Sequence, residues 1–288
     1  MDATCIADVK ALLGEGPNWD PETGMLSFVD IKGRKLFLAD PDGGNLREIA
    51  TPFRIGSLIP RASGGYIAGT EHGIAQVDLV TEQFKLLFDP EEDRETNRFN
   101  DAKVDRSGRL FAGTMDDEEK AASGAFYRID KTMVCTRIDD GFRVTNGPAF
   151  SPDGKVMYAN DSALQVTYRY DLAPDGTPLN KLELARYGEG EGYPDGMTVD
   201  AEGCLWIAFW DGWCLRRLSP RGERLQELRV PVQRPTSCAF GGPTLDRLFI
   251  TSARIGLSEE ELTSQPYAGG LFMTVPGVTG VAEQPFAG

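Results

Sequence analysis

Histidine is almost absent from this chain of 288 residues, which holds one, His72. Two-histidine zinc motifs such as H-E-x-x-H are therefore excluded. A histidine-dependent triad has that single candidate, with no G-x-S-x-G turn beside it. Its setting, Gly69-Thr70-Glu71-His72-Gly73, reads as a surface turn. Cysteine is scarce as well. The five (Cys5, Cys135, Cys204, Cys214 and Cys238) are odd in number and far apart, with no C-x-x-C pair. That argues against a disulfide framework and a thiolate metal site, and for reduced thiols in a cytosolic protein.

Long apolar runs are missing. The longest candidates, Leu205-Trp206-Ile207-Ala208-Phe209-Trp210 among them, are strand-sized, well below the roughly 18–20 residues needed to cross a bilayer. The first residues, Met1-Asp2-Ala3-Thr4-Cys5, lack the basic and apolar regions of a signal peptide, so a cytoplasmic location is expected. No Walker-type or G-x-G-x-x-G sequence opens a helix, which leaves nucleotide binding without support. Positive charge is in deficit: 30 Lys and Arg face 44 Asp and Glu, a net −14. Such a surface repels phosphate backbones and anionic lipid. The expected partner is a cation or a neutral polar small molecule, not nucleic acid or membrane, and no obligate protein partner is evident.

What is present is punctuation. Glycine (33) and proline (18) stand among many short apolar runs, the composition of an all-β chain with many turns. One unit recurs. Glycine-bearing turns, among them Asp105-Arg106-Ser107-Gly108, Ser151-Pro152-Asp153-Gly154 and Asp200-Ala201-Glu202-Gly203, precede strand-like runs such as Arg109-Leu110-Phe111-Ala112-Gly113, Lys155-Val156-Met157-Tyr158 and Cys204-Leu205-Trp206-Ile207. Glycine in these turns is expected at positive φ. Ahead of each unit lies a polar residue: Glu15, Ser57, Asn100, Asn146, Asp195 and Ser237, spaced by about 42, 43, 46, 49 and 42 residues. A period in that range indicates propeller blades. The expected fold is therefore a single all-β domain over 1–288, a six-bladed β-propeller. Cys5–Val9 closes the last blade as its outer strand. If each polar residue opens the innermost strand of its blade, all six face one channel and form a single polar site, the place expected for a central metal site. No long helix is predicted, only a short turn at Ser258–Leu262.

The oxygen-rich inventory suits a hard divalent cation. Glu15 in Gly14-Glu15-Gly16-Pro17, Asn146 in Thr145-Asn146-Gly147-Pro148 and Asp195 in Tyr193-Pro194-Asp195-Gly196 are the expected ligands. In Arg98-Phe99-Asn100-Asp101 the guanidinium and the amide alternate on an extended segment, so both can meet substrate hydroxyl or carbonyl oxygens. The run Asp116-Asp117-Glu118-Glu119 leaves the same unit and offers a carboxylate to the pocket, and Asn160-Asp161 stands behind it as support. The acidic stretch Asp89–Asn97 reads as a solvated surface loop.

With these motifs in place, the chain resembles the SMP-30/gluconolactonase family, which includes regucalcin and bacterial sugar lactonases. The resemblance rests on Gly14-Glu15-Gly16-Pro17, Arg98-Phe99-Asn100-Asp101, Ala112-Gly113-Thr114-Met115, Asn146-Gly147-Pro148, Pro194-Asp195-Gly196, Cys238-Ala239-Phe240-Gly241-Gly242 and Ala268-Gly269-Gly270. It implies a six-bladed propeller carrying one divalent ion (Ca, Zn, Mn or Fe) on Glu15, Asn146 and Asp195. It also implies Asp195 as general base, with Arg98, Asn100 and Glu118 as sugar contacts. The implied reaction is hydrolysis of an aldonolactone to the free sugar acid. A calcium-binding regulatory propeller without catalysis and a phosphotriesterase-like hydrolase are the other readings open on such a scaffold.

Overall fold

The computed structural model describes residues 2–288. The fold is all-β, built of the six blades of a six-bladed β-propeller. Each blade is a four-stranded antiparallel sheet, and the blades fall three to each of two compact units.

The first unit runs to Ala50 and again from Tyr187 to Ala282. Blade 1 comprises Gly14–Asp20, Met25–Asp30, Lys35–Ala39 and Arg47–Ala50. Blade 5 comprises Tyr193–Val199, Leu205–Trp210, Cys214–Leu218 and Arg224–Arg229. Blade 6 comprises Pro235–Gly241, Arg247–Ser252 and Leu271–Thr274, and its outer strand, Thr4–Ala7, comes from the start of the chain. The expected closure is therefore present. The one helix among the described residues, Glu259–Ser264, is inserted in blade 6 and starts at a capping box in which Ser258 pairs with Glu261. Trp206, Leu215, Phe240, Leu248, Ile250 and Phe272 form a core between blades 5 and 6.

The second unit covers 51–186 and 283–288. Blade 2 comprises Ile55–Pro60, Tyr66–Thr70, Gly73–Asp78 and Gln83–Phe88. Blade 3 comprises Asn97–Val104, Leu110–Asp116, Gly124–Ile129 and Cys135–Phe142. Blade 4 comprises Thr145–Phe150, Val156–Asp161, Val166–Leu172 and Pro178–Arg186. Ile59, Ile74, Phe99, Ala112 and Tyr127 pack with Phe286 from the chain end. Phe111, Phe126, Phe142, Phe150 and Met157 fill the space between blades 3 and 4.

Within each blade, burial falls from the first strand to the fourth. Asn97–Val104 is buried at every position, whereas Pro178–Arg186 is exposed at most. The turns behave as their composition predicts: Gly203 has φ +82, and Asp200 Oδ1 accepts from the backbone amides of Glu202 (3.0 Å) and Cys204 (2.9 Å). The polar loops differ from expectation. They do not precede the first strands but lie inside them. Glycine and proline read locally as turn residues, yet here they form β-bulges, each adding an extra residue within a paired strand. No helix among the described residues is long and apolar enough to cross a membrane.

Candidate active site

Every first strand breaks register at its expected polar residue. The shift falls between Glu15 and Asn18, Ile55 and Ser57, Phe99 and Ala102, Asn146 and Ala149, Pro194 and Met197, and Pro235 and Ser237. Gly16 (φ +54) and Gly147 (φ +75) supply the left-handed residue of two of these bulges. A bulge bends the strand and re-aims its side chains. Glu15, Ser57, Asn100, Asn146, Asp195 and Ser237 are all buried.

In the first unit, the first strand of blade 6 packs against those of blades 1 and 5. Thr236 Oγ1 donates to Gly14 O, next to Glu15. On the other side, a Cβ at Gly196 would run into the Ser237 hydroxyl, which seats Ser237 directly against the Asp195-Gly196 step. Glu15 Oε2 accepts from the Gly16 amide at 3.0 Å, fixing the carboxylate over its own turn.

In the second unit Asn146, Asn100 and Arg98 stand in one hydrogen-bonded series, which leaves out Ser57. Asn146 Nδ2 donates to Ser162 Oγ (2.8 Å). Asn100 Nδ2 donates to Asn146 Oδ1 (3.1 Å) and to Thr145 O (2.8 Å). Arg98 Nη1 donates to Asn100 Oδ1 (2.7 Å) and Phe99 O (3.1 Å), and its Nε donates to Asp117 Oδ1 (2.6 Å). Arg54 Nη1 donates to Asp117 Oδ2 (2.6 Å), while Arg54 Nε donates to Glu71 Oε2 (2.5 Å). Burial draws the Arg98 pKa below its ordinary value, opposed by Asp117 and assisted by the neighbouring charge of Arg54. Burial raises Glu71, but the backbone amide and guanidinium of Arg54 outweigh it and hold that carboxyl below its ordinary range. Among the described residues, Arg98 Nη2 has no protein partner.

Asn100 and Asn146 are thus joined, and Arg98 joins them. Glu118 is elsewhere. Its side chain is 63% exposed and pairs with Lys120 at 2.8 Å, while its neighbour Asp117 meets Arg98 and Arg54. Asp161 supports blade 4 from behind: it accepts from the amides of Arg143 (3.0 Å) and Val144 (3.4 Å), just ahead of Thr145-Asn146. Asp30 does the same in blade 1, accepting from Leu12 (2.8 Å) and Leu13 (3.0 Å). Burial pushes the Asp101 carboxyl up to about 6, against the charge of Lys103 and the Ala102 amide, which donates to Oδ1 (2.8 Å).

Sequence reasoning missed Arg54, whose partner Asp117 lies 63 positions away and leaves no local trace. It also missed Glu91. The stretch Asp89–Asn97 is not wholly solvated: Glu91 is buried and accepts from Asn97 Nδ2 (2.7 Å), Tyr127 OH (2.8 Å) and Thr114 Oγ1 (3.1 Å), anchoring the segment that leads to Arg98. His72 is an exposed turn residue, as expected.

Among the described residues, no three His, Cys, Asp or Glu side chains gather into a cluster able to hold a metal ion; two carboxylates and an amide fall outside that pattern. The donor chemistry nevertheless fits a hard cation. Glu15, Asn146 and Asp195 present only oxygen as ligand atoms, and Ser57 Oγ, Ser237 Oγ and Asp101 Oδ2, on first strands too, are buried without a hydrogen-bond partner.

The model for the SMP-30/Gluconolactonase/LRE-like region matches residues 13–254. The chain is 36% identical to the 6-deoxy-6-sulfogluconolactonase of Pseudomonas putida, over 99% of this chain and 98% of that protein. It is 34% identical to the regucalcin of Xenopus laevis, over 99% and 98%. A solved structure of a calcium-binding protein, regucalcin, from Agrobacterium tumefaciens str. C58 matches with a TM-score of 0.94 and 28% identity, covering 99% of this chain and 97% of that one.

Proposed function

The chain belongs to the SMP-30/gluconolactonase/LRE-like family, and from that premise we propose that it hydrolyses a sugar (aldono-)lactone to the free sugar acid with the help of one divalent cation. The carrying observation is the buried series Asn146–Asn100–Arg98, which couples an expected cation ligand to two expected sugar contacts through hydrogen bonds of 3.1 and 2.7 Å.

Glu15, Asn146 and Asp195 would hold the cation, a reading supported by their shared phase in the repeat and by the family. When bound, the cation polarises the lactone carbonyl as a Lewis acid. Asn146 Oδ1 accepts one bond from Asn100 and keeps a second lone pair for such a role. Asp195 takes a proton from water as the water oxygen bonds to the carbonyl carbon. The ring C–O bond then breaks, and the proton passes to the departing alkoxide oxygen to give the open hydroxy acid. Arg98, through its unpartnered Nη2, and Asn100 hold the ring hydroxyls, which supplies orientation. Glu118 reaches the sugar by exchanging Lys120, an exposed pair that holds it weakly. Cytoplasmic location and independence of nucleic acid and membrane belong to the same proposal and are supported by composition.

The test is acidification of weakly buffered glucono-, galactono-, arabinono- and xylonolactone, with and without chelator, on protein reloaded with Ca, Zn, Mn or Fe. Asp195→Ala is expected to lose nearly all turnover, on the scale of the 10²–10⁴-fold typical of a positioned general base or more. Substantial turnover by the metal-loaded variant contradicts the assignment. The calcium-binding solved relative favours a second reading, cation binding without catalysis; tight cation binding with no turnover on any lactone would select it.

A further inference from the structure

Four buried side-chain atoms among the described residues lack a hydrogen-bond partner, and three of them (Ser57 Oγ, Asp101 Oδ2 and Ser237 Oγ) belong to first-strand bulges. Native structures leave few such atoms, and each calls for a water, an ion or a functional explanation. Ser237 is the sharpest case. Every neighbouring hydroxyl in its blade is satisfied. Thr236 Oγ1 donates to Gly14 O and pairs with the Thr251 hydroxyl at 2.9 Å, which leaves it the acceptor there, and Ser252 Oγ donates to Gly270 O (2.7 Å). Ser237 alone among these is buried and unpaired, at 1% exposure. Its position is fixed on both sides. Thr236 ties the strand to the residue before Glu15, and Gly196 leaves the room that the Ser237 hydroxyl occupies beside Asp195. A small apolar residue would fill the same space without an unpaired hydroxyl, so stability does not account for serine here.

We propose that Ser237 is a positioning residue of the cation site: its hydroxyl holds a water of the cation's hydration shell between the strands that carry Glu15 and Asp195. This rests on the cation reading of Glu15 and Asp195 made above. A buried water needs two to four polar partners; the serine hydroxyl and the two carboxylates supply that chemistry. Groups of this kind, which touch the cation through a water, typically govern metal affinity by about 10–100-fold.

The test uses full-length protein stripped with chelator, then titrated with Mn²⁺ and Ca²⁺ by calorimetry and followed by thermal melting. Ser237→Ala is expected to bind the cation about 10-fold or more weakly and to melt no lower than the parent when stripped, because it sheds an unpaired hydroxyl. Ser237→Cys keeps the size but donates poorly, and should follow alanine in affinity. Unchanged affinity in both variants overturns the proposal, as does a stripped Ser237→Ala that melts well below the parent, since the hydroxyl then has a structural partner. A parent protein with no cation-dependent heat or melting shift overturns the cation reading itself. The other failures leave that reading standing.

Discussion

The two oxygens of Asp117 hold two different arginines, Arg98 and Arg54, each at 2.6 Å. Arg98 is nearly fully buried, so this carboxylate is what makes its charge tolerable there. Asp117→Asn is therefore expected to lower both stability and substrate affinity, the latter as a KM raised about 10-fold, roughly the value of one charge-assisted bond. Glu118→Gln should leave melting unchanged, because its pair with Lys120 is exposed, and should raise KM alone. Equal melting of parent and Asp117→Asn would refute the first expectation, and an unchanged KM in Glu118→Gln would refute the second. The acidic run 116–119 was legible as a source of a carboxylate; which of its members turns inward was not. Asp117 and Glu118 stand in the turn after the strand Leu110–Asp116, closed by the Glu119 amide on Asp116 O, so no strand alternation tells them apart, and Arg54, which Asp117 meets, is far away in the chain.

At the scale of the element, the period of polar residues predicted the blades, and the glycine-bearing turns predicted where second strands begin. Both signals are local, so a single sequence carries them. The bulges were not legible. Gly14-Glu15-Gly16-Pro17 and Thr145-Asn146-Gly147-Pro148 have turn composition, and only pairing with Val29 and Asn160 on the neighbouring strands reveals them as strand interiors. Asp161 closes the second strand of blade 4 and bonds the amides that precede Asn146, so it holds one bulged strand at its start. Burial raises its pKa against those same amide bonds. Asp161→Ala leaves the Arg143 and Val144 amides without this acceptor, at a cost of about 1–3 kcal/mol for a buried unsatisfied group. Urea unfolding should report that loss as a lowered midpoint at an unchanged slope. An unmoved midpoint would mean water replaces the carboxylate at no cost.

For the whole molecule, we propose that residues 1–288 unfold as one domain, and the chain offers a direct way to ask. All four tryptophans (Trp19, Trp206, Trp210 and Trp213) lie in the first unit, so their fluorescence reports on it alone. Phe286 belongs to the second, where it is fully buried with Ile59, Phe99 and Tyr127 and its backbone pairs with Pro60 and Ala62. The chain reaches Phe286 only after passing through the first unit, which makes the second unit's core depend on residues from both ends of its span. Phe286→Ala should cost about 3–5 kcal/mol, as large-to-small changes of buried aromatics do. If the chain is one cooperative domain, the tryptophan transition moves down with far-ultraviolet dichroism, by the same amount and in one step. A fluorescence midpoint that stays at the parent value while dichroism shows an earlier partial loss would mean two independently unfolding units instead.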